Sequence, residues 1–446
     1  MLPEKFIAQM KNILGGELNE YVASLGAPPA RAIRINANKS SADAVLPALP
    51  YSAEQIPFAL GGYYISANED DKIGSHPLHH AGAFYVQEPS AMAPACMAPI
   101  EPDFLALDVC AAPGGKSSQI AERLTRGTLV SNEIMRDRAV TLLGNVERQG
   151  FSNVIVTNTD TKTLAELFDG VFDLVMCDAP CSGEGMFRKN PDAIAEWSPE
   201  NVAMCAERQK EILGNAAKTV KCGGYLVYST CTFSKEENED VISDFLARHS
   251  DFSLCDAPEE IKKATAGGIE MPKARRFYPH LSRGEGQFMA LMQRSGGDAG
   301  RVTYRDGARA LTKEEDRAAR EFFASCFDEM PRGRLISVGK NIFLAPDFPI
   351  PPHSVFSAGI KVGEVEKGRL VPHHQLFSAL GDMMKRKIAL ASDSADAKKF
   401  IGGETVPTTV SNGWAAVTID GCAVGGAKVT DGVAKNHYPK GLRRKI

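Results

Sequence analysis

The sequence lacks several features that would assign it to a particular class of protein. No stretch approaches the ~20 consecutive apolar residues that a membrane-spanning helix needs. Glu4 and Lys5 fall where a signal peptide would carry its apolar segment. No C-x-x-C pair occurs among the ten cysteines, although such pairs are typical of zinc sites. We therefore expect a cytoplasmic protein with reduced cysteines, no membrane segment and no bound metal.

The chain also has little excess charge and no repetitive segment. Its net charge is -4 and its pI about 6.2, which argues against a protein that binds nucleic acid over its whole surface but leaves room for local basic patches. Internal repeats and low-complexity tracts are absent. With 446 residues, 43% of them hydrophobic, the chain can bury several cores.

A central unit over residues 101–295 alternates short apolar runs with helical patterns. The candidate strands are 104–109, 128–132, 154–157, 172–177, 225–229 and 288–292, and the candidate helices are 116–125, 136–149, 199–220 and 235–249. This alternation predicts an α/β fold in which helices cover both faces of a parallel sheet.

Three further units are expected around it. Residues 1–100 form a small α/β segment, and the sequence SGGDAG at 295–300 predicts a flexible linker. Beyond the linker we expect an α+β domain over 301–375. The strand-like runs WAAVTIDG and CAVGGAKVTDG predict a small β-rich domain over 376–446.

A short loop of small residues follows the first strand of the central unit. It comprises Cys110, Ala111, Ala112, Pro113, Gly114, Gly115 and Lys116. Doubly wound sheets bind ligands at such strand ends, and small residues let the backbone approach the ligand. Neither G-x-G-x-x-G nor G-x-x-x-x-G-K-[ST] is present, which disfavours NAD and nucleoside triphosphates. A tight structural turn is the simpler alternative.

Three later strands each end in a carboxylate. Glu133 follows the second strand, Asp160 the third and Asp178 the fourth. Any one of them alone is equally consistent with a solvated or helix-capping acid. Because all three are expected on one edge of the sheet, they favour a ligand site, with Glu133 placed to accept the hydroxyls of a ribose.

Two cysteines are expected at adjacent strand ends. Cys181 follows the fourth strand and Cys231 the fifth. Taken singly, each is better explained as a structural cysteine. Zinc is disfavoured because Cys177 and Cys181 form an isolated C-x-x-x-C. A disulfide is conceivable as an artefact of oxidation but is not expected as a native structural bond in this compartment.

A thiolate beside a methyl donor suits the methylation of a pyrimidine at C5. That carbon is too weak a nucleophile to accept a methyl group directly, and a thiolate that adds at C6 makes it reactive. Asp178 is the expected carboxyl group near N3, where it would stabilise the developing charge.

These residues resemble the RNA cytosine-5 methyltransferase family related to RsmB, RsmF and the Nop2/Sun proteins. The resemblance rests on LDVCAAPGGKSSQIA, the SNE and NTD acids, DAPCSGEGMFRKNPDA and GGYLVYSTCTFSKEENEDVI. It implies a Rossmann-like class I methyltransferase core with S-adenosylmethionine as cofactor. Cys231 would be the nucleophile and Cys181 would promote product release. The cofactor positions would be residues 110–116, Glu133, Arg138, Asp160 and Asp178.

The resemblance extends to both ends of the chain. RAIRINANKS, with Arg31 and Arg34, and AFYVQEPSAMAPA resemble the RNA-facing N-terminal segment and pre-core motif. KFIGGETV and VAKNHYPKGLR resemble the PUA-like RNA-binding domain of the RsmF branch, which implies a small-subunit (16S) rRNA substrate. In residues 435–446, five Lys and Arg side chains accompany His437 and Tyr438, a composition that suits phosphate contacts and base stacking.

Several interpretations stay open. Gln287 departs from the aromatic or apolar residue usual in the family, which concerns packing. The histidines of SHPLHH and the pair His373 and His374 are better explained by packing than by a metal. The alternatives to a monomeric rRNA methyltransferase are an inactive rRNA-binding assembly factor, a tRNA methyltransferase, or a methyltransferase for proteins or small molecules.

Overall fold

The computed structural model describes residues 2–68, 70–297 and 300–444. The N-terminal unit combines four short helices with a four-stranded sheet. In chain order its elements are α1 Glu4–Leu14, α2 Leu18–Ser24, β1 Ala32–Ile35, α3 Ala42–Val45, β2 Ala53–Gln55, β3 Gly62–Ile65, α4 Pro77–His80 and β4 Phe84–Val86. All the pairings are antiparallel, in the order β2-β3-β1-β4. Every residue of the central strand β1 is buried, so both of its faces are packed.

The central unit contains the largest sheet. Its elements are β5 Leu105–Asp108, α5 Gly115–Arg123, β6 Thr128–Asn132, α6 Arg136–Gln149, β7 Val154–Thr157, α7 Thr161–Leu167, β8 Phe168–Asp169, β9 Phe172–Asp178, α8 Pro191–Glu196, α9 Pro199–Thr219, β10 Val220–Thr230, α10 Glu239–Arg248, β11 Phe252–Leu254, α11 Glu259–Ala264, β12 Ala266–Gly268, β13 Met271–Phe277 and β14 Gln287–Arg294.

The order of strands in this sheet places a ligand crevice beside β5. The sheet runs β12-β13-β14-β10-β9-β5-β6-β7-β18, where β18 is the later strand Val355–Ala358, and β11 pairs with β14. The five strands from β10 to β7 are parallel. From β5 the chain proceeds to β6 and β7 on one side and returns to β9 and β10 on the other. The carboxyl ends of β5 and β9 therefore flank the switch point at which such sheets bind ligands.

Two expectations about the central unit need correction. The strand expected at 288–292 is antiparallel to its neighbour, so the sheet is mixed rather than wholly parallel. The helix expected from residue 235 begins only at Glu239, because residues 235–238 form a turn. In this turn Asn238 donates a hydrogen bond to the carbonyl of Thr232, and Glu237 accepts one from the backbone of Ser182.

The C-terminal part comprises β15 Arg301–Val302, α12 Lys313–Cys326, β16 Arg334–Val338, β17 Asn341–Ala345, β18 Val355–Ala358, β19 Ile360–Glu366, β20 Arg369–Pro372, α13 His374–Leu380, β21 Lys387–Leu390, α14 Ala395–Gly402, β22 Val406–Pro407, β23 Gly413–Ile419, β24 Cys422–Thr430 and β25 Val433–Asn436. Two separate sheets run β16-β17-β19-β20 and β21-β23-β24-β25-β22. Strand β18 instead joins the edge of the central sheet beside β7. Part of the linker expected at 295–300 lies outside the described residues.

Lys39 ties the three parts of the chain together. Its buried Nζ donates hydrogen bonds to the carbonyl oxygens of Ala81 at 2.8 Å, Arg148 at 3.2 Å and Ala423 at 2.8 Å. These acceptors belong to the N-terminal unit, the central unit and the last sheet respectively. One hydrophobic core also joins Ile33 and Phe84 to Val417 and Val424. Within the described ranges, no helix is long and apolar enough to cross a membrane.

Candidate active site

The loop after β5 packs so tightly that its glycines are required. Gly114 caps α5 with φ +111°, a conformation that side chains with a Cβ rarely adopt. A Cβ atom at Gly114 would lie 3.0 Å from Leu142 Cδ1, and one at Gly115 would lie 3.3 Å from both Gln87 and Tyr85. The two glycines therefore allow the backbone to turn tightly into the N-terminus of α5.

This loop forms one wall of a cleft of about 190 Å³. The lining residues are Tyr85, Val86, Gln87, Glu88, Ala91, Asp108, Cys110, Ala111, Ala112, Pro113, Gly115, Lys116 and Asp178. Most of the loop predicted to hold the cofactor, together with Asp178, thus lines one cavity. Gly114 shapes the turn, while Glu133, Arg138 and Asp160 lie outside the lining.

The opposite wall comes from residues that the sequence did not assign to the site. Tyr85, Gln87 and Glu88 lie at the end of β4 and just after it. Gln87 is held by Arg34, whose Nε donates to Gln87 Oε1 at 3.2 Å. The motif AFYVQEPSAMAPA resembles a family motif, but only the fold shows that its residues line the cleft.

Glu133 and Arg138 stabilise the loop from outside the lining of the cleft. Arg138 Nη2 donates to the carbonyl of Ala112 at 2.7 Å, and Nη1 lies 3.4 Å from Glu133 Oε2. Glu133 is 2% exposed, and its Oε1 accepts from the backbone of Met135 at 2.9 Å. Its buried Oε2 accepts no hydrogen bond, and its partner is the guanidinium of Arg138 in the 3.4 Å ion pair. This oxygen can still accept a hydrogen bond from a ligand that brings hydroxyl groups.

Asp160 is engaged in local structure. Its carboxylate accepts from the backbone N–H of Thr163 at 2.8 Å and from Thr163 Oγ1 at 2.9 Å, which caps α7. The backbone hydrogen bond from Thr163 is the main cause that lowers the pKa of Asp160. A contact between Asp160 and the cofactor stays a prediction.

Asp108 is a buried carboxyl group beneath the loop. Ser117 Oγ donates to its Oδ2 at 2.6 Å, whereas Oδ1 has no hydrogen-bond partner. Burial raises the pKa of Asp108 to about 7, and the hydrogen bond from Ser117 opposes this shift. Apart from its position at the end of β5, no pattern in the sequence predicts a role for this acid.

Asp178 occupies a fixed position at the end of β9. Ser229 Oγ donates to its Oδ1 at 2.6 Å and Lys116 Nζ to its Oδ2 at 2.8 Å. Burial alone would lower the pKa of Lys116, but the charge of Asp178, its hydrogen bond and smaller contributions from Cys231 and Asp108 together outweigh it, and the net shift is upward. The cleft therefore contains a close ammonium–carboxylate pair with about a third of the Asp178 side chain, 31%, exposed.

The two cysteines expected at adjacent strand ends, Cys181 and Cys231, are in contact. Cys181 and Cys231 lie in the segments that follow the parallel strands β9 and β10, and their Sγ atoms are 3.3 Å apart. Both cysteines are free and partly exposed. The hydrogen bond to Cys231, followed by burial, raises the pKa of Cys181 well above its usual range. Cys181 therefore keeps its proton at neutral pH.

A buried polar network supports the loop that carries Cys181. Glu237 accepts from the backbone N–H of Ser182 at 2.9 Å and from Gln209 Nε2 at 2.8 Å. Ser182 Oγ also contacts Thr232 Oγ1 at 3.0 Å, next to Cys231 in the chain. Sequence reasoning missed Glu237 and Gln209. For Glu237, the only sign in the sequence is that a glutamate lies within an otherwise helical pattern.

The histidines serve local structure. His76 Nδ1 accepts from the backbone of Leu78 and caps α4, and His373 Nδ1 accepts from the backbone of Gln375 and caps α13. Over residues 2–68, 70–297 and 300–444, no group of three or more His, Cys, Asp or Glu side chains is arranged to hold a metal ion.

Two side chains expected to face RNA are instead buried. Arg34 is 1% exposed and pairs with Glu122, because its strand is covered on both faces. Tyr438 is 2% exposed, and its hydroxyl lies 3.2 Å from His80 Nδ1, so its ring does not offer a stacking surface. Lys435, His437, Lys440 and Arg444 are exposed. Lys445 and Ile446 lie outside the described residues.

Comparison with known families covers most of the chain. Residues 94–293 match the model described as 16S rRNA methyltransferase RsmB/F, residues 2–89 match the N-terminal domain of 16S rRNA methyltransferase RsmF, and residues 387–444 match the RsmF PUA domain. A curated relative, ribosomal RNA small subunit methyltransferase F of Vibrio vulnificus (strain YJ016), is 31% identical over 99% of this chain and 98% of its own. The chain belongs to the RsmB/F family of rRNA methyltransferases.

Solved structures agree with the RsmB/F assignment. A methyltransferase homologue from Pyrococcus horikoshii is 27% identical and covers 66% of this chain and 95% of its own, with a TM-score of 0.57. NSun6 from P. horikoshii with SFG is 22% identical and covers 66% and 99%, with a TM-score of 0.60, which shows the shared fold.

Membership of the RsmB/F family confirms several expectations from the sequence. The Rossmann-like core and the C-terminal PUA-like domain are confirmed, as are the methyltransferase class and RNA as the class of partner. S-adenosylmethionine is the cofactor.

Proposed function

We propose that the protein methylates C5 of cytosine in small-subunit (16S) rRNA, through a covalent bond between Cys231 Sγ and C6 of the base. The observation that carries the proposal is the 3.3 Å contact between the Cys181 and Cys231 thiols, in the segments that follow β9 and β10. A base that reaches Cys231 also comes close to Asp178, because that residue lies beside Ser229 in the neighbouring strand.

Each residue has a role in the proposed reaction. The Cys231 thiolate adds to C6, which makes C5 nucleophilic. N3 takes up a proton as electron density moves toward it, and Asp178, held by Ser229 and Lys116, stabilises this protonated N3. After methyl transfer the C5 proton must leave and the thiol must be expelled, and Cys181 or a water molecule that it positions assists this release. S-adenosylmethionine supplies the electrophilic methyl group when bound.

The residues that would hold the cofactor fit it. Residues 110–116 offer a close backbone at the start of α5, and Arg138 fixes the carbonyl of Ala112. Oε2 of Glu133 accepts no hydrogen bond within the protein, which suits a ribose hydroxyl. Asp160 and Asp178 complete the proposed set. A small-subunit rRNA substrate would place the protein in the cytoplasm, and we expect it to act as a monomer.

The competing hypotheses make different predictions. An inactive assembly factor would bind rRNA with a steep salt dependence but neither bind the cofactor nor transfer a methyl group. Against it stand the intact loop and both thiols. A tRNA methyltransferase would show the same chemistry on a different RNA, whereas a methyltransferase for proteins or small molecules has no use for the paired thiols.

The test is transfer of tritium from labelled S-adenosylmethionine to 16S rRNA, to small subunits and to tRNA, followed by identification of the modified nucleoside. We expect 5-methylcytosine in 16S rRNA with the wild type and with Cys222→Ser, which removes an exposed thiol far from the proposed chemistry. Cys231→Ala should give no product. Full activity in Cys231→Ala, or a product other than 5-methylcytosine, would overturn the proposal.

A further inference from the structure

Cys181 and Cys231 are placed for chemistry with each other as well as with RNA. Their sulfurs lie 3.3 Å apart without being bonded. A disulfide has a length of about 2.05 Å, so the sulfurs need to approach by about 1.3 Å. Neither cysteine lies within a helix or strand, so rotation of the side chains can supply this approach.

The two cysteines are also partly accessible to an oxidant. Both cysteine residues are partly exposed, whereas Cys177, Cys205, Cys326 and Cys422 are buried. The ammonium group of Lys116 interacts favourably with Cys231, an interaction that contributes to the raised pKa of Lys116. Peroxides oxidise the thiolate form of a cysteine, and partly exposed cysteines are the ones that they reach.

We propose that Cys181 and Cys231 are a reversible oxidation site at which peroxide forms a disulfide and switches the enzyme off. The Cys231 thiolate attacks a peroxide oxygen, so that an S–O bond forms, the O–O bond breaks and hydroxide leaves. Cys181 then attacks the sulfenic sulfur, so that the S–S bond forms and the S–O bond breaks. Water leaves with the proton of Cys181. A dithiol reductant reverses the reaction by thiol–disulfide exchange.

The disulfide would affect activity directly. Both sulfurs that the proposed reaction uses would be bonded to each other, so no thiolate could add to C6. This consequence rests on the proposed function, whereas formation of the disulfide rests on the geometry of the thiols alone. Cys181 would also protect Cys231, because a sulfenic acid without a resolving thiol proceeds to sulfinic acid, which dithiols do not reduce.

The experiment treats the reduced full-length protein with hydrogen peroxide, blocks the remaining thiols with iodoacetamide and maps cross-linked peptides by mass. Trypsin would leave Cys177 with Cys181 and Cys222 with Cys231. Cleavage before Asp178 by Asp-N protease, and after Tyr228 by chymotrypsin, separates them. Methyl transfer is measured on the same samples before and after dithiothreitol.

We expect a Cys181–Cys231 cross-link, loss of methyl transfer to background, and recovery of both free thiols and activity with dithiothreitol. Cys222→Ser should behave like the wild type. Cys181→Ser should give no cross-link and should carry Cys231 as sulfinic acid that dithiothreitol does not restore. The oxidation site is overturned if the wild type shows no cross-link at a peroxide dose that oxidises exposed Cys222, or if Cys231 passes directly to sulfinic acid.

The two proposals fail in different ways. A cross-link in a protein that transfers no methyl group even when reduced refutes the proposed function and leaves the disulfide standing. A cross-link in a protein that is equally active when oxidised refutes the switch.

Discussion

Ser229 Oγ donates a 2.6 Å hydrogen bond to Asp178 Oδ1, and the two residues face each other in the register of neighbouring parallel strands. Strand β10, which leads to the proposed nucleophile Cys231, therefore holds the carboxylate of Asp178 in place. Asp178 ends β9, the strand that leads to Cys181. Cys231 follows Ser229 by two positions, and Cys181 follows Asp178 by three. The hydrogen bond links the carboxylate and both thiols to one part of the sheet.

Ser229→Ala tests this positioning. A hydrogen bond to a charged group contributes about 1.5–3 kcal/mol, so we expect kcat to fall roughly tenfold or more. The KM for S-adenosylmethionine should change little, since Ser229 does not line the cleft. Ser253→Ala, on an exposed position of β11, is the control. A rise in KM at unchanged kcat would assign Ser229 to cofactor binding instead.

Arg34→Met should act on stability rather than on RNA binding. The substitution removes a buried guanidinium that pairs with Glu122 and donates to Gln87 and Ser118, which we expect to lower the free energy of unfolding by about 3 kcal/mol or more. The salt dependence of RNA binding should not change, because Arg34 is 1% exposed. Urea unfolding and filter binding measure the two effects. Arg305→Met, at an exposed arginine, should alter neither stability nor the salt dependence, and a shallower salt slope in Arg34→Met would restore Arg34 as an RNA contact.

Lys435→Gln and Lys440→Gln should weaken RNA binding. Both lysines are exposed on the C-terminal unit. Each lost phosphate contact should reduce the slope of log affinity against log salt by about 1. Tyr438→Phe is the contrast, since it removes the buried contact with His80 and should lower stability while leaving the slope unchanged. Equal slopes for the wild type and the double lysine variant would place the RNA elsewhere.

Asp108 should make stability depend on pH. Its pKa is about 7 in the folded protein and 3.8 ordinarily, so between these values the unfolded chain loses a proton that the folded protein keeps. Stability therefore falls as pH rises through this range, by at most about 1.4 kcal/mol per pH unit. Asp108→Asn should flatten the decline in unfolding free energy measured by urea between pH 5 and pH 7. The same slope in both proteins would contradict this assignment.

Local sequence patterns predicted much of the central fold. The strands at 128–132 and 154–157 and the helix at 136–149 agree with the structure, because buried strands and amphipathic helices carry clear periodicities. The contact between Cys181 and Cys231 was also predictable, because the carboxyl ends of neighbouring parallel strands lie at one edge of a sheet.

Features that depend on distant parts of the chain were not predictable. The alternating RAIRINANKS segment does not reveal that both faces of β1 are covered, so Arg34 was expected on the surface. Tyr85 and Gln87 close the cleft only because the N-terminal sheet packs against α5. Glu237 lies in a turn within an apparently helical segment, where its carboxylate accepts hydrogen bonds from Ser182 and Gln209.

The covalent bond from Cys231 to RNA is the central claim, and its most direct test is isolation of the adduct. Cys181→Ala should accumulate a protein–RNA complex that survives denaturation in the presence of S-adenosylmethionine and 16S rRNA, because release is impaired while attack is not. The double variant Cys181→Ala with Cys231→Ala should give none. An adduct that persists in the double variant, or a Cys231→Ala enzyme that still produces 5-methylcytosine, would contradict the mechanism.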